Sequence, residues 1–123
     1  MAKPIVYIIG AGGFGIHHLE GIVQANTPLS ITVIDSSEQT LARARAITAP
    51  KKHSLTYASE IPSGEHVNVA IIATTSASRA AATRTLLERA KKINYLILEK
   101  ILFDTKADYA SIERLLASRR VRA

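Results

Sequence analysis

Gly10, Gly12 and Gly15 stand in the spacing G-x-G-x-x-G, with Ala11, Gly13 and Phe14 between them. Glycines so spaced leave backbone N–H groups uncovered, and such groups bind phosphate when a helix begins behind them. Alone the pattern is weak, and its context gives it weight. The apolar run Ile5–Ile9 precedes it, and Ile16, Leu19, Ile22 and Val23 form a helical stripe after it. Gly10 then allows a tight turn, Gly12 leaves room for a diphosphate, and Gly15 lets the helix pack closely on the strand. A glycine-rich turn without a ligand has the same spacing, but it would weaken the helix start without a compensating gain.

Asp35 closes the next apolar run, Ile31–Ile34, twenty residues after Gly15. A carboxylate at that place accepts hydrogen bonds from an adenosine ribose. The alternative is that Asp35 only starts a turn, with Ser36 capping the next helix. A 2′-phosphate beside Asp35 would be repelled by about 4 kcal/mol at roughly 4 Å and an effective dielectric near 20. Ser36 and Ser37 follow where an arginine would be expected for NADP, and Arg43 and Arg45 lie further along the helix. The expected cofactor is therefore NAD in preference to NADP.

Two more clusters fall at the ends of apolar runs. Val67–Ala73 leads into Thr74, Thr75 and Ser76, small hydroxylated residues suited to approach a ribose or nicotinamide. Tyr95–Leu98 leads into Glu99 and Lys100. A lysine beside a nicotinamide can bind a substrate hydroxyl and exchange a proton if partly desolvated. The same dipeptide would also suit an exposed loop.

The elements that must position these groups alternate along the chain. Leu55–Tyr57 adds a further strand, Leu41, Ala44 and Ile47 a second helix stopped by Pro50, residues 78–92 a third, and Tyr109, Ile112, Leu115 and Leu116 a fourth. A capping box from Thr105 to Asp108 would open the last helix. Apolar runs without strict alternation suit parallel strands covered on both faces. The order β-α-β-α-β-β-α-β-α predicts an α/β Rossmann domain, a doubly wound parallel sheet of order 3-2-1-4-5. Val121-Arg122-Ala123 could begin a sixth strand. That topology brings Gly10–Gly15, Asp35, Thr74–Ser76 and Glu99-Lys100 to one rim.

The glycine motif with His18 behind it, Ala73-Thr74 at the end of strand 4, and Glu99-Lys100-x-Leu102 together resemble the glucose–fructose oxidoreductase/inositol dehydrogenase/MocA-like oxidoreductases. The resemblance covers residues 1–123 and only the N-terminal, NAD(P)-binding domain of those enzymes. It implies oxidation or reduction of a sugar, polyol or related carbonyl centre, with Lys100 at the active site. Ile101 replaces the proline of the family's Glu-Lys-Pro, so the restriction proline places on the preceding residue is absent. Thr75-Ser76-Ala77-Ser78-Arg79 stands where the family commonly has Pro-Asn-x-x-His. The family's second domain, with the substrate pocket and a catalytic partner for the lysine, has no counterpart in these residues. The expectation is a single cofactor domain, inactive by itself as a fragment of a larger enzyme. The alternative is a regulatory NAD-binding domain like those of potassium channels and transporters.

Composition narrows the other classes. The chain has 123 residues, 47% of them hydrophobic, no Cys and a formal charge of +6. One domain fits that length. Disulfides, thiolate nucleophiles and Cys-based metal sites are excluded. No run is long enough for a membrane-spanning helix, and the expected setting is cytoplasmic. The basic end (Arg114, Arg119, Arg120, Arg122) carries no interleaved aromatics for base stacking, so nucleic acid is not an expected partner. His53 and His66 read as loop residues at the opposite rim, and His18 as a packing residue behind the glycine loop. No His, Asp and Glu cluster has metal-ligand spacing. An uncovered edge on strand 5 would permit pairing with another copy as a homodimer.

Overall fold

The computed structural model describes residues 3–98 and 106–123. The strands β1 (Ile5–Ile9), β2 (Ser30–Ile34), β3 (Ser54–Ala58), β4 (His66–Ile72) and β5 (Lys92–Leu98) alternate with α1 (Phe14–Ile22), α2 (Glu38–Arg45), α3 (Ser76–Arg89) and α4 (Lys106–Arg119). All five strands are parallel, in the order β3-β2-β1-β4-β5. The order read from handedness holds. Val6 on β1 lies beside Ile31 on β2 and Val69 on β4, and Ile9 lies beside Ile34 and Ile72. The chain leaves β1 for β2 on one side and enters β4 on the other, so a crevice opens beyond the carboxyl end of β1.

Each face of the sheet buries its own apolar set. Tyr7, Ile9, Ala70 and Ile72 pack against Leu86 and Leu87 of α3, while Ile8, Ile31 and Val33 pack against Leu19 of α1 and Leu41 of α2. β1, β2 and the end of β4 are buried on both faces, which is why their sequences lack clean alternation. β5 is longer than its apolar run suggested, because polar Lys92 and Asn94 extend it toward the start of β4. Its residues Tyr95 and Ile97 remain 49% and 47% exposed.

Beyond α4, Arg122 forms one parallel bridge beside Tyr95: its carbonyl accepts from the Leu96 N–H at 2.7 Å. The sixth strand is therefore begun by a single bridge. Arg120 adopts φ 55° so that the Val121 N–H reaches the Leu116 carbonyl at 3.1 Å and its own N–H reaches that of Ala117 at 3.3 Å. This is a Schellman ending with arginine in the place glycine usually fills. The Thr105 end of the proposed capping box lies outside the described residues.

His53 does more than its sequence reading gives it. It is 6% exposed, and its Nδ1 accepts the Leu29 N–H at 3.1 Å while Nε2 donates to the Val23 carbonyl at 3.0 Å. It stands in the loop before β3, as its sequence reading has it, but there it is a buried clamp joining the end of α1 to the starts of β2 and β3. Its partners lie 24 and 30 residues away, beyond the reach of local pattern. His66 is exposed and pairs with Asn94 Oδ1 at 3.0 Å.

Candidate functional site

The glycines divide into two kinds. Gly10 has φ 91°, and a Cβ there would lie 2.8 Å from the Thr74 nitrogen and 2.9 Å from the Ala73 carbonyl carbon. At Gly15 a Cβ would lie 1.7 Å from the Gly10 carbonyl oxygen. These two are demanded by the fold itself, since the chain leaves β1 hard against the end of β4 and returns into α1 against its own turn. At Gly12 and Gly13 a Cβ would meet nothing within 4 Å. Those two leave open space before the first turn of α1, which no side chain caps. Uncapped N–H groups at a helix start, fronted by empty space, suit an anion. Phe14, in that first turn, is 69% exposed.

Asp35 borders the same space from β2. Its Oδ2 accepts the Ala11 N–H at 2.9 Å and its Oδ1 accepts the Ser37 N–H at 2.8 Å. The carboxylate thus both starts the turn and ties the glycine loop to β2. Each oxygen retains a lone pair for a ligand hydroxyl. The cap of α2 is Ser37, whose Oγ accepts from the Thr40 N–H at 3.3 Å, and not Ser36, which is exposed and faces the groove.

The third group comes from the end of β4. Ala73 and Thr74 flank Gly10, and Thr75 is the N-cap residue of α3, its Oγ1 paired with Ser78 Oγ at 3.0 Å. Ser76 begins α3. Thr74 Oγ1 is buried and has no hydrogen-bond partner among the described residues. A buried hydroxyl left unbonded is costly. Glu99 and Lys100 lie outside the described residues.

Two cavities meet over these groups. One, of about 570 Å³, is bordered by Gly12, Gly13, Phe14, Asp35, Thr75 and Arg79. The other, of about 330 Å³, lies between the ends of β1, β2 and β3 and the flank of α3, against Ile34, Ser59, Glu60, Ile61, Ala82 and Thr85. Gly10, Asp35, Ser36 and Thr74 border both. Sequence reasoning found the first cavity and missed the second. Ile61, an isolated apolar residue after β3, was the one signal for it, because its burial at 7% exposure needs α3 as a partner. Arg79 was missed as well.

The two arginines of α2 lie away from Asp35's groove. Arg45 stacks on the Tyr57 ring at 5.3 Å and pairs with Glu38 at 3.5 Å. Burial holds the Tyr57 phenol above the usual tyrosine range, against the opposing pull of Arg45. Arg43 borders a separate cavity with Gly13, Ile16 and Glu20. His18 faces an apolar groove on the sheet with Ile22, Val69 and Ile97. Among the described residues no cluster of His, Asp and Glu could hold a metal ion, and no helix is long and apolar enough to cross a membrane.

Residues 5–123 match the model of the GFO/IDH/MocA oxidoreductase family, NAD-binding Rossmann fold. No curated protein matches the sequence significantly. Among solved structures, S. aureus TarJ in complex with NADPH superposes with a TM-score of 0.60 at 12% identity, over 98% of this chain and 35% of that one. At that identity the likeness is one of fold, and the chain spans about a third of the TarJ chain. The chain belongs to the NAD-binding domain family of the GFO/IDH/MocA oxidoreductases.

Proposed function

We propose, from that membership, that the chain holds NAD across the crevice between β1 and β4 for hydride exchange with a sugar, polyol or related carbonyl compound. The observation that carries this reading is the open cradle at Gly12 and Gly13, bounded by Asp35 on one side and by Thr74 and Thr75 on the other. The amides at the start of α1, which no side chain caps, receive the diphosphate. Asp35 accepts from the adenosine ribose with the lone pairs its backbone bonds leave over. Ile34, Ile61 and Ala82 form an apolar bed for the adenine. The second ribose and the nicotinamide fall toward Phe14 and the turn between β4 and α3. When bound, the cofactor supplies the atom that takes or gives the hydride.

Lys100 is assigned to hold the substrate's reacting oxygen, on the strength of its match to the family's lysine. The remaining substrate contacts belong to a second domain of the kind that family carries. The charge of Asp35 and the engagement of Arg45 with Tyr57 and Glu38 favour NAD over NADP. Calorimetric titration with NADH tests the reading, with saturable binding expected below millimolar concentration. No binding at millimolar NADH overturns it. Equal or tighter binding of NADPH overturns only the preference for NAD.

A further inference from the structure

Because all five strands run the same way, their starts share one rim, opposite the rim of Gly10 and Asp35. Lys51 and Lys52 precede β3, Lys91 and Lys92 stand at the start of β5, and Arg119 and Arg120 close α4. All six are exposed, and none forms an ion pair with a described residue. Lys91, Lys92 and Arg119 border one small hollow of about 20 Å³ together with Val121, so the end of α4 meets the start of β5. Lys3, ahead of β1, reaches toward β3 and donates to Ser54 Oγ at 2.9 Å. Strands about 4.8 Å apart put the start of β3 about 19 Å from that of β5. The cations therefore form a row across the rim.

Cations suit helix C-termini, and α3 and α4 both end here. Those ends are already closed by backbone, since the Leu86, Leu116 and Ala117 carbonyls accept the Ala90, Val121 and Arg120 N–H groups. Lys51 and Lys52 lie beyond the last turn of α2 altogether. Helix capping does not account for the row. Of the acids close to it in the chain, Glu65 is taken by the Tyr7 hydroxyl and Glu88 sits in the last turn of α3. The rim stays strongly positive.

Such a row fits a partner whose negative charges repeat along a line. A docking protein would need an apolar core to its interface, whereas a phosphate backbone binds through cations alone. Arg122 carries the row on to the edge of β5, where its guanidinium lies 5.9 Å from the centre of the Tyr95 ring. That ring is 49% exposed. Sequence spacing shows no aromatic among these cations, and the fold supplies one because the chain returns to β5 after α4. We propose that this rim binds single-stranded nucleic acid, with the backbone along the lysines and arginines and one base stacked on Tyr95.

The test is fluorescence anisotropy of labelled oligo(dT), about 15 nucleotides long, with the full chain across a salt series. Micromolar binding is expected at low salt, and log Kd should rise against log salt with a slope of about 3, or roughly four phosphates at about 0.7 each. The triple variant Lys91→Gln, Lys92→Gln, Arg119→Gln is expected to bind at least about tenfold more weakly, with the slope lowered by about 2. Lys51→Gln with Lys52→Gln should cost about threefold. Tyr95→Leu should cost about tenfold at unchanged slope, while Tyr95→Phe keeps the ring and binds as the wild type does. Arg114→Gln, more than a turn away on α4, should stay within about twofold. No binding, a slope below about 1, an unaltered triple variant or an equal loss in Arg114→Gln each overturn the proposal. So does displacement by NADH, which would put the strand in the cofactor groove on the opposite rim. Tighter binding of poly-glutamate or of phosphatidylserine vesicles than of oligo(dT) overturns the choice of nucleic acid. If Tyr95→Leu does not fold, Tyr95→Thr is read by the same criteria.

Discussion

On the β1–β2 side of the cleft the groups facing the groove are backbone amides, bare glycines and one carboxylate. On the β4–α3 side the groove is bordered by Thr74, Thr75 and Ser78, and the buried Arg79 guanidinium reaches back from the first turn of α3 to the Thr74 carbonyl. The first side works by omission. Four glycines remove the atoms that would fill the cradle or block the turn, and Asp35 holds the emptied loop against β2. The second side works by addition, with a buried cation placed where helix and solvent both disfavour it. Backbone recognition suits a diphosphate, which every dinucleotide carries. Side-chain recognition suits the half that distinguishes one ligand from another.

The sharpest break in this contrast lies between two glycines of one loop. Gly15→Ala drives a Cβ to 1.7 Å from the Gly10 oxygen, with backbone on both sides and nothing free to yield. A loss of about 3 kcal/mol or more is expected in urea unfolding, and a loss under about 1 kcal/mol would show that the loop can shift. Asp35→Ala comes next. It strips the acceptor from the Ala11 and Ser37 amides, so about 2 kcal/mol of stability should go together with NADH affinity. Loss of affinity at unchanged stability would mean that the carboxylate does not hold the loop.

Gly12→Ala should invert the pattern of Gly15→Ala. Its Cβ enters open space, so stability should stay within about 0.5 kcal/mol, while NADH affinity falls about tenfold as the cradle fills. A variant that binds NADH as the wild type does would remove Gly12 from the cradle.

The smallest effect concerns the seam between the two halves. Tyr7 of β1 donates its hydroxyl to Glu65 Oε1, just before β4. Burial first, and then the Glu65 carboxylate, hold the Tyr7 phenol well above the usual tyrosine range. Below about pH 10 both folded and unfolded chains keep this proton. Above it the unfolded chain releases the proton and the folded chain retains it, so stability falls as pH rises. Tyr7→Phe should cost about 1 kcal/mol at pH 7 and flatten the decline between pH 9 and 11 in thermal melts. An unchanged alkaline limb would rule Tyr7 out as its source.

Much of this was legible in the residues because it depends on neighbours in the chain. The glycine spacing, the strand before it, the helix after it and the acid at the end of β2 are local signals, and handedness turns them into a strand order. Their limits are equally physical. Gly15 reads as a helix-packing glycine, yet the atom it must avoid is the oxygen of Gly10, inside its own turn. Asp35 reads as a ligand, yet its tie to Ala11 exists only because β1 and β2 are adjacent and in register.

The sequence by itself determined the class of fold, the direction of the sheet and the open glycine loop before α1, because those follow from backbone freedom and hydrophobic period. Tertiary structure alone decided the clamp at His53, the cavity behind Ile61 and the hold of Arg79 on Thr74. The His53 clamp and the Ile61 cavity join side chains to groups some 20 to 30 residues away. Arg79 is close in sequence to its partner, but it earns its place only once α3 closes over the end of β4. No spacing rule registers a contact whose two sides meet only when the sheet has formed.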